Sequence, residues 1–229
     1  MKKFELTNEF VTNMFGTKLF RIRALVEFGD VEAGELGGYV EKESNLGHDD
    51  NAWVYGDARV YDNALVYDNA RVYGDAQVSG DARVYDNARV YGDAWVYGNA
   101  RVCGDALVRG DARVYDNAWV YDNAWVYGDA QVSGDARVSG NARVCGNGDY
   151  AYAHGFGSVN RTTTFFRLKD GGVGVRCGCF YGTLAQFRDK IRETHGETKK
   201  AQEYLMLADL MELRFEEDEN EVGNRKYVE

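Results

Sequence analysis

The sequence contains no proline among its 229 residues. A chain of this length without proline fits a structure made mostly of hydrogen-bonded ladders, where each backbone N–H is needed as a donor. Histidine is nearly as scarce. The three present, His48, His154 and His195, are scattered, which argues against a zinc site that needs three histidines to converge. The four cysteines include no C-x2-C pair, so reduced thiols in a cytoplasmic protein are expected rather than a disulfide scaffold or a metal site. No stretch has the apolar core of a signal peptide or the length of a membrane span, so no membrane partner is expected. Positive charge is also in deficit: 27 basic against 37 acidic residues give a net charge of −10. That balance disfavours direct nucleic-acid binding.

What is abundant is one phrase. From Ala52 to Asn147 the chain repeats Ala-x-Val-(Tyr/Ser/Cys/Arg)-(Gly/Asp)-(Asp/Asn) for 96 residues, 16 copies without an insertion. Ala-x-Val suits a short strand with Ala and Val inward and x outward. The closing pair consists of residues that tolerate left-handed backbone angles, as a corner requires. Three such strands and corners close a triangular coil of 18 residues, and parallel coils stack at roughly 4.8 Å. Sixteen hexads predict about five coils and a prism roughly 25 Å long.

Folding the array at 18 residues predicts columns of outward side chains. One face carries Trp53, Arg71, Arg89, Leu107, Trp125 and Arg143, with Tyr55, Tyr73, Tyr91, Arg109, Tyr127 and Cys145 beside them. A second carries Arg59, Gln77, Trp95, Arg113 and Gln131, and the third Leu65, Arg83, Arg101, Trp119 and Arg137. Stacked tyrosines and interleaved arginines can stabilise their own surface. Trp, Tyr and Arg are also the residues enriched at binding hot spots. The candidate partner-binding residues are therefore Trp53, Trp95, Trp119, Trp125, Tyr55, Tyr73, Tyr91, Tyr127, Arg71, Arg89 and Arg113. The corners add 13 Asp against nine Arg in the array, and columns of Asp are also what a mimic of a phosphate backbone would present.

Val54-Tyr55-Gly56-Asp57-Ala58 and Val60-Tyr61-Asp62-Asn63-Ala64 resemble the hexapeptide repeat of left-handed parallel β-helix proteins, although Tyr often stands where that family has Gly. Handedness is implied by this resemblance alone, since the general crossover rule would make the coil right-handed. Val31-Glu32-Ala33-Gly34-Glu35-Leu36-Gly37-Gly38-Tyr39-Val40-Glu41 is similar to the start of bacterial and bacteriophage proteins of the hexapeptide-transferase branch. That resemblance implies a bacterial host cytoplasm and a job as an inhibitor or decoy of a host defence protein. Enzymes of the family use a His near a protruding loop, with acyl-CoA lying between subunits. This array has neither loop nor His inside it.

The expected organisation is mainly β: an N-terminal β cap over 1–51, the β-helix over 52–147, a Gly-rich connector over 148–158, an α+β unit over 159–215 and an acidic tail over 216–229. Leu19 to Phe28 partly alternates as a strand. Thr162 to Leu168 and Val173 to Phe180 read as a hairpin around Asp170-Gly171-Gly172, with Val173, Val175, Cys177 and Cys179 on one apolar face. Thr183-Leu184-Ala185-Gln186 has the form of a capping box before a first helix, and Ala201, Tyr204, Leu205, Ala208, Met211 and Phe215 stripe a second. Two functions follow. The first is a non-enzymatic protein-interaction rod, homo-oligomeric or bound to another protein, with no cofactor. The alternative is an acyltransferase using acetyl-CoA with His154 as general base, its site formed between subunits.

Overall fold

The computed structural model describes residues 2–157 and 160–216. Three strands open the chain, β1 (Phe4–Thr12), β2 (Lys18–Ala24) and β3 (Leu36–Val40), with β1 and β3 each antiparallel to β2. Sixteen strands of two or three residues follow, one per hexad, from β4 (Trp53–Val54) to β19 (Arg143–Val144). They stack into three parallel sheets in which residue i lies beside residue i+18: Trp95 between Gln77 and Arg113, Trp119 between Arg101 and Arg137. The array is a parallel β-solenoid whose repeated Ala and Val side chains are all fully buried.

The solenoid has six turns, one more than the hexad count predicts. Val40 pairs with Val60, Leu46 bridges to Val66, and Trp53 pairs with Arg71, so residues 36–51, which lack the consensus phrase, close a first coil with Trp53–Val54. Local packing explains the disguise. Gly38 takes an inward Ala position because a Cβ there would lie 2.6 Å from the Ala58 carbonyl oxygen and 2.7 Å from Val54 Cγ1. At the next strand the buried Asn45 amide donates to the carbonyls of Ala64 (2.9 Å) and Asp62 (3.1 Å). Lys3 is also buried, its ammonium on the Ala52 carbonyl at 2.8 Å and Asp50 at 3.0 Å. Burial lowers the Lys3 pKa against the opposing pull of Asp50.

The corners follow one rule. In the first fifteen hexads the fifth position has positive φ and is Gly or Asp, with Asp62, Asp68, Asp86, Asp116 and Asp122 at 56–61°; in the last, Gly146 is extended at φ −150° as the chain leaves the array. Each of these carboxylates accepts the corner N–H one coil on, as Asp86 Oδ2 does from Gly104 at 3.1 Å and Asp62 Oδ2 from Gly80 at 3.0 Å. Asp thus offsets the steric cost of the left-handed region with a hydrogen bond that Gly cannot make. On two edges the sixth position adds amide ladders, Asn51 to Asn69 to Asn87 to Asp105 and Asn99 to Asn117 to Asp135.

Segment 148–158 differs from the expected connector. Tyr150–Phe156 is a strand, β20, paired with β21 (Arg161–Arg167), which continues antiparallel to β22 (Val173–Cys177) and β23 (Phe180–Thr183). A four-stranded sheet therefore replaces the hairpin. Its glycines conceal the strand, because they fall at the end of β20 where Gly155 and Gly157 take positive φ. The predicted second strand breaks after Cys177, where Gly178 turns at φ 60°, so Cys179 is exposed and leaves the apolar face while Cys177 stays half-buried. Phe166 joins the solenoid core, and Phe165 on the opposite face packs with α1 (Leu184–His195) and α2 (Lys199–Phe215). The Thr183–Gln186 capping box forms, and Ala201, Tyr204, Ala208, Met211 and Phe215 are the buried stripe of α2. No helix among the described residues is long and apolar enough to cross a membrane. Residues 217–229 of the expected tail, and Ser158 of the expected connector, lie outside the described residues.

The corner rule is testable in pairs of variants. Asp86→Ala keeps the positive φ without the acceptor and is expected to cost about 1–2 kcal/mol, whereas Asp86→Gly should cost only a few tenths. Urea unfolding of the two variants decides; equal destabilisation would refute the rule.

Candidate functional site

The outward columns pack mostly on one another. Trp125 has the Arg143 guanidinium 4.1 Å from its ring and Arg109 at 6.0 Å; Arg113 lies 5.6 Å from Trp95. Tyr73 stacks on Tyr91 at 4.8 Å and meets Tyr55 edge-on at 6.3 Å, while Arg109 covers Tyr127 at 5.2 Å. Tyr67 and Tyr85, and Tyr97 and Tyr115, form further stacks at 5.0 Å. Arg89 and Arg113 are exposed, and Trp95, Trp119 and Trp125 are half-buried.

Trp53 is a correction. Predicted as a partner contact, it is fully buried, with Phe28 edge-on at 5.3 Å and Phe4 at 6.1 Å. The N-terminal strands close over the first consensus strand and remove it from the surface. Arg71 and Tyr55 are also engaged within the chain, both on Asp30, at 2.8 and 3.1 Å.

A concavity of about 550 Å³ opens where the last coils meet the C-terminal sheet. Arg101, Trp119 and Arg137 form its solenoid wall, Arg161 and Thr162 the facing wall, and Asn99, Asn117 and Asp135 the adjoining corner column. The two solenoid guanidiniums flank the Trp119 ring at 5.8 and 5.7 Å, and the indole N–H donates to Cys103 Sγ at 3.2 Å. Arg161 crosses Gly178, where a Cβ would lie 1.8 Å from Nη1, so a glycine in the left-handed region makes room for it. Among the described residues no ion pair occupies Arg101, Arg137 or Arg161.

His154 lies on β20 rather than in a loop, exposed, with Nδ1 2.8 Å from Thr162 Oγ1 and 3.9 Å from Asp135 Oδ2. The other histidines are elsewhere: His48 stacks on Phe4 at 4.4 Å and His195 on Tyr204 at 5.9 Å. No group of three potential ligands is placed for a metal among the described residues. The 13 corner aspartates divide five, four and four over the three edges but differ in hexad position. Asp57, Asp75, Asp93, Asp111 and Asp129 form one uninterrupted column, while the other two edges interpose asparagines.

Sequence reasoning missed an apolar surface on α2. Met206, Leu210 and Leu213, at i, i+4 and i+7, are 71%, 54% and 68% exposed, opposite the buried stripe. The available signal was a surplus: Leu205, Met206, Leu207, Leu210 and Leu213 exceed what one buried face requires. The cleft was missed because Arg161 lies outside the repeat and no periodicity links it to Arg101 and Arg137.

A family model described as the YdcK beta solenoid repeat matches residues 52–67, 58–74, 64–80, 76–92, 82–98, 112–128 and 130–147. The chain is similar to that family over these segments, all within the repeat array. No curated protein matches the chain.

The tyrosine columns carry a pH dependence. Burial pushes the Tyr55 hydroxyl up to about 12 and also raises Tyr67, Tyr73 and Tyr97. With folded pKa values above the unfolded value, the unfolded chain holds fewer protons in this range, so stability is intact below pH ~10 and falls between ~10 and ~12. Tyrosinate absorbance is expected to lag behind that of the denatured chain, with the melting temperature dropping over the same window. Coincident titration curves would overturn this.

Proposed function

We propose that this protein is a non-enzymatic interaction protein, a rigid solenoid whose C-terminal unit mediates assembly. In this reading the coils wind left-handed, as in the hexapeptide-repeat proteins the phrase resembles, and the flanking units close both ends of the prism. The observation that carries the reading is the exposed Met206, Leu210 and Leu213 stripe on a helix whose other face is anchored in a core. Contiguous apolar surface of this kind marks docking faces, and the spacing of four and three suits a second helix. The partner with the best fit is α2 of another copy, running antiparallel. Lys199 and Lys200 open the helix, whereas Glu216 follows its end and Glu217, Asp218 and Glu219 come next in sequence. Antiparallel pairing sets each basic end against the other's acidic end.

Light scattering on the full chain at roughly 10–100 µM is expected to give twice the chain mass. Met206→Glu combined with Leu210→Glu should give a monomer with an unchanged circular dichroism spectrum. A wild-type monomer across that range would sink the assembly reading.

A second reading, acyl transfer, is favoured by one observation: His154 stands beside Asp135 at the rim of the arginine-lined cleft. It predicts acetyl-CoA turnover that disappears in His154→Ala. An absence of calorimetric heat with acetyl-CoA would end it.

A further inference from the structure

We propose that the cleft between Arg101, Arg137 and Arg161 binds a compact phosphoryl group, borne either by a small phosphate ester or by a phosphorylated side chain. Three guanidiniums from two separately folded elements line one concavity in a chain of net charge −10. A local surplus of positive charge against the overall sign needs an occupant. Asp135, the carboxylate in the lining, makes its contacts elsewhere, accepting from Asn117 Nδ2 at 3.1 Å with Oδ2 3.9 Å from His154, and forms no ion pair with the three arginines. The arginines are left with their planar forks of donors, which match oxyanions.

The geometry also discriminates among anions. Arg101 and Arg137 both lie within 5.8 Å of the Trp119 ring centroid, so cations compete with a base for that ring. An extended nucleic acid would run from the cleft past the acidic corner columns, beyond the reach of these three charges, since screening cuts in at about 8–10 Å. A compact dianion stays inside that range. A phosphoryl group also accepts more hydrogen bonds than a carboxylate, which suits a concavity lined by three guanidiniums. Gly178 completes the site: by leaving the space a Cβ would fill, it lets the Arg161 guanidinium lie across the turn. This site is independent of the α2 stripe, and neither proposal requires the other.

The test titrates inorganic pyrophosphate into the full chain by calorimetry at about 50 mM salt. Saturable binding with Kd below about 1 mM is expected. Arg101→Gln, Arg137→Gln and Arg161→Gln should each weaken it about tenfold or more, with circular dichroism unchanged. Arg59→Gln, on another face, should bind as the wild type does. Absence of heat at about 10 mM ligand, equal affinity in the three cleft variants, or an equal loss in Arg59→Gln would each overturn the assignment. A phosphoserine tripeptide then separates the sources. Tighter binding than pyrophosphate supports a phosphorylated protein as donor of the group, and the reverse order supports a free phosphate ester.

Discussion

Every structural choice in this chain answers to one constraint: a coil of 18 residues must return to its own register so that backbone N–H and C=O groups meet the next coil. Arg59 N–H reaches the Ala76 carbonyl at 2.9 Å, and Leu65 reaches Ala82 at the same distance. The interior left by three strands is narrow, so it accepts Ala and Val, and where the first coil tightens further it accepts Gly38. Corners must turn without spending residues, which selects left-handed Gly or Asp. Asp then adds a carboxylate aimed at the neighbouring coil. Proline is absent because any position within the array would lose a donor, break a corner, or both.

The same constraint creates a difficulty at each end, where a coil has no successor to pair with. At the C-terminal end side chains take over. Gln131 N–H donates to Asn147 Oδ1 at 2.8 Å, its carbonyl accepts from the Tyr150 hydroxyl at 2.6 Å, and Arg137 N–H donates to Thr164 Oγ1 at 2.9 Å. Asp149 Oδ2 accepts from both Cys145 and Gly146. At the opposite end Lys3 and Asn45 perform the equivalent service for carbonyls. A buried lysine is an expensive way to satisfy a carbonyl, and its partners Asp50 and Ala52 explain why it is held there.

Legibility in the sequence follows the same division. The solenoid, its register and the identity of each outward column are written in a period that any three copies reveal. The first coil is not, because Gly38, Asn45 and Leu46 perform the duties of Ala, x and Val with different chemistry. Trp53 was misplaced for a related reason: the period assigns it outward, and only the tertiary position of Phe4 and Phe28 shows that outward there means inside. Cys179 failed where strand alternation was extended past Gly178. The capping box at Thr183 and the buried stripe of α2 were legible because helix periodicity and capping act over a few residues. The cleft and the exposed stripe required knowing which surfaces face each other and which face nothing.

Placement of charge gives these surfaces different characters. One edge of the prism carries its five aspartates, Asp57 to Asp129, in a single column, whereas the other two carry four each, split between the fifth and sixth hexad positions, with asparagine ladders that pass hydrogen bonds along the axis. On the edge nearest the C-terminal unit Asp135 accepts from Asn117 and lies 3.9 Å from His154, and Arg101, Arg137 and Arg161 line the cleft beside it. Aromatic and arginine side chains therefore cover one another along the solenoid, while exposed apolar side chains lie in both flanking units, Phe10, Met14 and Phe15 at the N-terminal end and Met206, Leu210 and Leu213 on α2.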